Sequence, residues 1–356
     1  LQLFQIHFNI SNVFEIILEA VMVRVGINGF GRIGRLSLRN GITNHQLDWQ
    51  HINEPQGDNT MCAYLLNYDS VHGRWEQHAI ADESGLKIGM HSLTVSHNTA
   101  IEQTDWSNCD IVLECSGKFR TAESLAPYFA QGVKHVIVAA PIKKDALNIV
   151  MGVNQERFRA NSHPIVTNAS CTTNCLAPVA HVIHTTLGIK HGMITTMHCM
   201  TNTQSVVDKP SKDARRARSA STNMIPTTTG SASTIGLIIP ALNGRLDGIA
   251  VRVPMLGASL TDCVFEVEQQ TTVAEVNAIL KAASETPQLK GILGYEEELL
   301  VSSDFRSDRR SAIIDASSTM VTGGTQVKIL AWYDNEMGYS QRMVELTEYI
   351  SSQWGQ

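Results

Sequence analysis

Val23-Arg24-Val25-Gly26-Ile27-Asn28-Gly29-Phe30-Gly31-Arg32-Ile33-Gly34 decides the fold. Val23, Val25 and Ile27 alternate as in a half-buried strand. The run then turns through Gly29, Gly31 and Gly34, a G-x-G-x-x-G, and opens a helix predicted from about Arg32 to Asn40. In that order each glycine has a job: the first permits the tight turn, the second lets backbone approach a pyrophosphate, and the third lets helix and strand pack closely. The helix start adds unpaired N–H groups for an anion. Asn28, Gly29, Phe30, Gly31, Arg32, Ile33 and Gly34 are therefore expected at a dinucleotide cofactor. A glycine-rich turn without a cofactor is the plainer alternative.

Working outward, QHIN, DIVLEC and HVIVAA repeat the short β-branched run between helical patterns, which predicts βαβ units and a parallel sheet. Glu54, about twenty residues past the glycines, stands where an acidic side chain binds adenosine ribose hydroxyls and repels a 2′-phosphate; that favours NAD over NADP. A solvated loop charge before Pro55 is the alternative. Further on, a strand from Pro164 to Thr167 passes into a helix whose Leu176, Val179, Val182 and Ile183 recur at helical spacing, with Cys171 at the junction. MITTMHCM, GIAVRVP, LTDCVFEVE and TQVKILAWYD read as longer alternating strands of a second, more antiparallel sheet. Residues 200–223 form a polar, Arg-rich stretch without period, and a loop that long is usually functional.

Composition limits the function. The chain has 356 residues, 43% hydrophobic and 17% charged, enough for about two domains of the usual size. A net charge of −6 argues against a broad nucleic-acid footprint. Lys212, Arg215, Arg216 and Arg218 could form a basic patch, but Asp208 and Asp213 dilute it. Seven scattered cysteines make no disulfide framework and fit a reducing compartment. Residues 1–21 lack a basic start and a cleavage site, and Asn9, Asn12, Glu15 and Glu19 interrupt their apolar run, so neither a signal peptide nor a membrane span is expected. Met22, just before the first strand, is read as the natural start, with an amphipathic partner-binding helix as the alternative.

A thiolate at a helix N-terminus or beside an imidazole is a strong nucleophile toward a carbonyl carbon. Cys171 has the first placement, and His198, at the end of MITTMH, could supply the second as base and then acid. By residue type alone each is as readily a core cysteine or a structural histidine. Cys171 and Cys175 are four apart, but no second ligand pair lies near, so no metal is expected.

Ala169-Ser170-Cys171-Thr172-Thr173-Asn174-Cys175, with INGFGRIGR, PTTTGSA, LNGRLDGIAVRVP and AWYDNEMGYSQR in the same order, resembles the glyceraldehyde-3-phosphate dehydrogenase family from Val23 to the C-terminus. The resemblance implies a Rossmann NAD-binding domain (22–170), an α+β catalytic domain with a largely antiparallel sheet (171–334) and a C-terminal helix (335–356) returning to the first. It implies NAD as cofactor, a homotetramer joined partly through the long loop, and a cytoplasmic enzyme without nucleic-acid or membrane partners. Cys171 would add to glyceraldehyde 3-phosphate and, after oxidation, inorganic phosphate or arsenate would attack the thioester.

Position by position, the resemblance implies that His198 activates Cys171 and that the Cys171 N–H holds the oxyanion. Thr201 and Arg252 would take the substrate phosphate, and Ser170, Thr172, Thr229 and Gly230 the inorganic one. Asn335 would orient the nicotinamide amide, Tyr339 would lie against the ring, and Ser116 and Gly117 would line the cleft. Two departures stand out: Glu54-Pro55 replaces Asp and a small residue, and Ser96 to Thr99 lack the usual arginine near the adenine. With GKFRTAESLAPYFAQGVKHVIVAAPIK, these resemble the arsenate-resistance branch. Erythrose-4-phosphate dehydrogenase is the nearest alternative, although PTTTGSA favours the phosphate-using enzyme. A catalytically silent RNA-binding role would predict loss of Cys171 or His198.

Overall fold

The protein is described here from a computed structural model covering residues 22–354; the extension at 1–21 lies outside the described residues. The chain opens with β1 (Val23–Asn28), α1 (Arg32–Gly41), β2 (Leu47–Asn53) and α2 (Asn59–Asn67). A short meander follows: β3 (Ala79–Ala81), β4 (Gly85–Ile88) and β5 (His91–Ser96). Next come β6 (Ile111–Glu114), α3 (Ala122–Ala130), β7 (His135–Val138), β8 (Leu147–Asn148) and β9 (Ile165–Thr167). These strands form a nine-stranded sheet in the order β8-β9-β7-β6-β1-β2-β5-β4-β3. It is parallel from β8 to β5 and antiparallel only along the β5-β4-β3 edge.

Chain order reverses at β1, with β2 on one side and β6 on the other. In an open parallel sheet the crevice beyond the strand ends at such a point is where ligands bind. Those ends carry Asn28-Gly29, Asn53-Glu54 and Cys115-Ser116, so the topology gathers three of the motif's neighbourhoods.

The nucleophile's helix α4 (Cys171–Leu187) leads into β10 (Ile189–His198), β11 (Ile225–Thr228), α5 (Ser231–Ile238), β12 (Leu246–Arg252) and β13 (Ser259–Val267). The chain continues through α6 (Val273–Glu285), β14 (Leu293–Glu296), β15 (Ala312–Thr322) and β16 (Gln326–Tyr333). The second sheet has seven strands in the order β11-β12-β10-β13-β16-β15-β14. The pairs β10–β12 and β14–β15 are parallel and the rest antiparallel. One face of this sheet packs on α4, where Leu176, Val179, Val182 and Ile183 are buried as their spacing predicts. Each such side chain contributes roughly 1.5–3 kcal/mol on leaving water.

Helix α7 (Met337–Ser352) follows β16 of the second sheet yet places Tyr339, Met343, Val344, Leu346 and Ile350 in the core of the first, beside Val25, Ile27 and Leu38. Asn40 on α1 donates to Ser340 Oγ at 3.0 Å across that junction. Residues 200–224 contain no helix or strand, as the missing period predicts. No described helix is long and apolar enough to cross a membrane.

Candidate active site and cofactor cleft

Two adjoining cavities, of about 180 Å³ and 480 Å³, lie beyond the strand ends of the first sheet, the larger reaching the second, and Gly31, Cys115 and Ser116 line both. The smaller is walled by Asn28, Asn53, Glu54, Asn98, Thr99, Ala100, Lys118 and Phe119. The larger contains Ser170, Cys171, His198, Thr201, Arg252, Asn335 and Tyr339.

The glycine turn is built as the motif requires. Gly29 has φ +91°, and a Cβ on it would lie 2.4 Å from the Ser116 nitrogen. A Cβ on Gly34 would meet the Gly29 carbonyl at 2.3 Å, whereas one on Gly31 would meet nothing within 4 Å and project into the cleft. Only the middle glycine thus faces open space, the cradle a dinucleotide's phosphates would fill. Phe30 and Gly34 are buried and serve the turn's packing. Arg32 at the helix start is bound by Asp69 and by Glu336, whose oxygens lie 2.9 and 2.5 Å away. Ile33 lines the larger cavity, and Gly117, at φ +72°, closes the turn after Ser116.

Glu54 uses both carboxylate oxygens locally. One accepts from Phe30 N at 2.8 Å and the other from Gln56 N at 3.0 Å, so the longer side chain ties the glycine turn to the loop after β2. Beneath it Asn53, almost fully buried, donates to Asn28 Oδ1 (2.8 Å) and the Asn98 carbonyl (3.0 Å), and accepts from Ser96 Oγ (2.8 Å) and Asn98 N (2.9 Å). Asn28 and Tyr128 in turn donate to Glu114, which also accepts from Ser116 N. Burial pushes the Glu114 carboxyl up against these four donors, the fourth being the Ser116 hydroxyl. The Ser96–Thr99 stretch is held by amides, hydroxyls and the imidazoles of His51 and His97.

At the other end, Ala169 sits in the left-handed region at φ +49°, a conformation that costs a non-glycine residue roughly 1 kcal/mol or more. It is clamped: Tyr339 OH donates to the Ala169 carbonyl (3.1 Å), and Asn168 Nδ2 donates to the Tyr339 carbonyl (3.0 Å). Ser170 then caps α4 by accepting from Thr173 N. Cys171 is left at the first helical position, with its Sγ 3.5 Å from His198 Nε2.

His198 Nδ1 lies 2.8 Å from the Cys199 carbonyl and 2.7 Å from Arg252 Nη1, which itself reaches that carbonyl at 3.0 Å. An Nδ1–H donates to the carbonyl; a bare Nδ1 accepts from the guanidinium. Burial, then the neighbouring Arg252 charge, pushes the imidazole down to about 3. Burial also pushes the Cys171 thiol up, opposed by Arg252 and by the N–H groups of α4's first turn. Removal from water thus works against both the thiolate and the imidazolium.

Thr201 and Arg252 share the larger cavity with Cys171, and the Thr201 hydroxyl bonds Thr203 at 2.8 Å. Ser170 Oγ lies 3.1 Å from Ser231 Oγ, to which Thr229 donates at 3.2 Å just before α5. Gly230 is the N-cap of that helix. Thr172, expected with them, is buried instead, and its hydroxyl lies 3.0 Å from Tyr333 OH. Successive helical residues diverge by about 100°, so a cleft-facing Cys171 turns its neighbour inward.

Arg216, which the sequence offers only as part of a basic patch, also reaches the site. It leaves the irregular loop to donate to Thr227 at 2.9 Å, and its charge bears on both His198 and Arg252. No period in the loop marked it. Among the described residues no cluster of three His, Cys, Asp or Glu side chains could hold a metal.

Residues 23–122 match the profile described as glyceraldehyde 3-phosphate dehydrogenase, NAD binding domain, and residues 170–335 match its C-terminal domain. The chain belongs to the glyceraldehyde-3-phosphate dehydrogenase family. It is 59% identical to glyceraldehyde-3-phosphate dehydrogenase 3 of Nostoc sp. over 92% of this chain and 98% of that protein. It is 47% identical to the glyceraldehyde-3-phosphate dehydrogenase of Geobacillus stearothermophilus over 93% and 98%. For glyceraldehyde-3-phosphate dehydrogenase 1 of Bacillus subtilis the figures are 46%, 92% and 98%. Membership makes the chain an NAD-dependent oxidoreductase and accounts for a cleft whose Gly31 end suits a dinucleotide.

Proposed function

We propose that this protein oxidises glyceraldehyde 3-phosphate to an acyl phosphate. The observation that carries the reading is Cys171 Sγ at 3.5 Å from His198 Nε2, at a helix N-terminus opening on a cavity continuous with the glycine turn. With its Nδ1 proton on the Cys199 carbonyl, neutral His198 has a lone pair on Nε2 to take the thiol proton. The Cys171 sulfur then bonds to the aldehyde carbon, and the carbonyl oxygen is held as an oxyanion by the Cys171 N–H until it gains a proton from His198. NAD, when bound, supplies the acceptor for the hydride that leaves this hemithioacetal.

Gly29 and Gly31 would receive the cofactor's pyrophosphate, Glu54 its adenosine ribose, Asn335 its carboxamide and Tyr339 its nicotinamide ring. The hemithioacetal gives up its hydroxyl proton to His198 and becomes a thioester on Cys171. Oxyanion attack on that thioester forms the acyl–oxygen bond, breaks the carbon–sulfur bond and returns Cys171 as thiolate. Arg252 with Thr201 offers a fixed cation and a hydroxyl to the substrate's phosphate, as a dianion needs. Ser170, Thr229 and Gly230 would hold the attacking phosphate or its near isostere arsenate. The Thr172 hydroxyl, held at Tyr333, supports the helix turn.

The two sheets and α7 support divisions near 170/171 and 334/335. Exposed Val206, Val207 and Met224 in and beside the loop suit contacts between four copies, and the seven free cysteines suit the cytoplasm. The test is NADH formation from glyceraldehyde 3-phosphate with phosphate, with arsenate and with neither, beside erythrose 4-phosphate. Oxyanion-dependent turnover of the triose is expected. Turnover of erythrose 4-phosphate alone, without need of an oxyanion, would overturn the reading.

A further inference from the structure

The Cys199 side chain has no part in the chemistry above, yet each polar atom of this residue is engaged. Its N–H donates to Ser259 Oγ at 3.1 Å. Its carbonyl receives Arg252 Nη1 at 3.0 Å and faces His198 Nδ1 at 2.8 Å. Its Sγ–H donates to Asn335 Oδ1 at 2.8 Å, and Ser259 Oγ–H donates to the same oxygen at 3.3 Å. The thiol is 2% exposed, and burial lifts it to about 11, so it remains a proton donor across the neutral range.

An amide oxygen has two lone pairs. At Asn335 both are directed at donors behind the cleft wall. A flipped amide would exchange two accepted bonds for NH2 contacts with a weakly accepting thiol sulfur and with a Ser259 hydroxyl that already accepts from Cys199 N–H, so the observed orientation is the better paired one.

We propose that Cys199 is a positioning residue that, with Ser259, fixes the Asn335 amide so that its N–H donors alone face the cofactor. Given the reading that Asn335 meets the nicotinamide carboxamide, the site then grips the carboxamide's carbonyl oxygen and ignores its NH2. The same residue holds His198 and Arg252 through its backbone carbonyl. A single residue thereby sets the base, the phosphate-binding cation and the nicotinamide's anchor at fixed spacing.

The test compares direct binding of NAD and of its 3-acetylpyridine analogue, which keeps the carbonyl oxygen and lacks the NH2. In the unmodified protein Asn335 serves both equally. In Cys199→Ala only the longer Ser259 bond still holds the oxygen, and the amide can turn that oxygen to the cleft, where NAD's NH2 can bond and the acetyl group cannot. The ratio of dissociation constants, analogue over NAD, should rise about two- to tenfold, the range for one neutral hydrogen bond. Cys199→Ser should restore the ratio, and Ser259→Ala should raise it. A Cys199→Ala protein that weakens both ligands equally, or leaves the ratio unchanged, overturns the proposal. Asn335→Ala separates the two ideas: it should weaken both ligands without altering their ratio, and if it weakens neither, the assignment of Asn335 to the carboxamide is wrong.

Discussion

The two ends of the cleft use polar side chains in opposite ways. At the Cys171 end, Arg252, His198 and Ser170 all open on the cavity, on elements whose ends are capped, clamped or strained into place. At the Glu54 end, polarity is turned inward: Asn53, Ser96, Asn98 and Thr104 bond one another, and even the Glu54 carboxylate is shared between two backbone N–H groups. The first end binds and transforms charge. The second holds its walls at a fixed spacing and leaves recognition to shape and hydroxyls, so damage at the two ends should read out differently.

The sharpest break is Cys171→Ser. A hydroxyl at this position lacks the thiol's nucleophilicity, and dehydrogenase turnover should fall by about 10³ or more while NAD affinity stays within a few-fold. Steady-state NADH formation alongside cofactor titration checks both, and retained turnover would remove Cys171 from the nucleophile's role.

Asn53→Ala attacks the other end. It strands partners on three segments of the cleft wall, so the NAD dissociation constant should rise roughly tenfold and stability should fall by about 1–3 kcal/mol, with kcat at saturating NAD little changed. Thermal unfolding and a KM-against-kcat comparison test it. A fall in kcat with unchanged KM would mean that the polar network serves the chemical step.

The smallest effect concerns Glu336, which ties the start of α7 to the first domain through Arg32 and His72. Burial alone would raise its carboxyl, but His72 and Arg32 hold it down at about 2. A carboxylate depressed on folding adds stability that is present above its unfolded value, ordinarily near 4.3, and is lost as the pH drops through the folded value. Between about pH 4.5 and 2 the unmodified protein should therefore lose up to ~2 kcal/mol that Glu336→Gln never had. Parallel unfolding curves for the two proteins across that range would exclude the ion pair as a source of acid sensitivity.

The sequence made the two ends unequally legible. Strand, glycine turn and helix from Val23 to Gly41 follow from alternation and three glycines, because local sterics alone impose them. The Cys171 junction is equally plain, and the end of MITTMH offers His198 as a candidate partner, but the 3.5 Å approach of His198 depends on how β10 lies against α4, which no spacing encodes. The approach of the Thr172 hydroxyl to Tyr333 follows from helical rotation, which motif order does not encode. Arg216 lies in a loop with no period to read, and nothing in the sequence sets Cys199 apart from the other cysteines. The absent arginine near Ser96 was visible, whereas its replacement by an amide network rests on contacts among residues up to about fifty positions apart.

The return of α7 to the first sheet has a consequence for biosynthesis. Domains tend to fold as they leave the ribosome, beginning with the N-terminal one. Here the nucleotide half draws Tyr339, Met343, Val344, Leu346 and Ile350 from a helix made after the whole second sheet, so its core cannot close before α7 has left the exit tunnel. Until then the apolar face of α1 that α7 covers stays open. Emergence of α7 both completes the hydrophobic layer and brings Tyr339 to the nucleophile's turn, so a chain stalled before it would be unfinished in both halves at once.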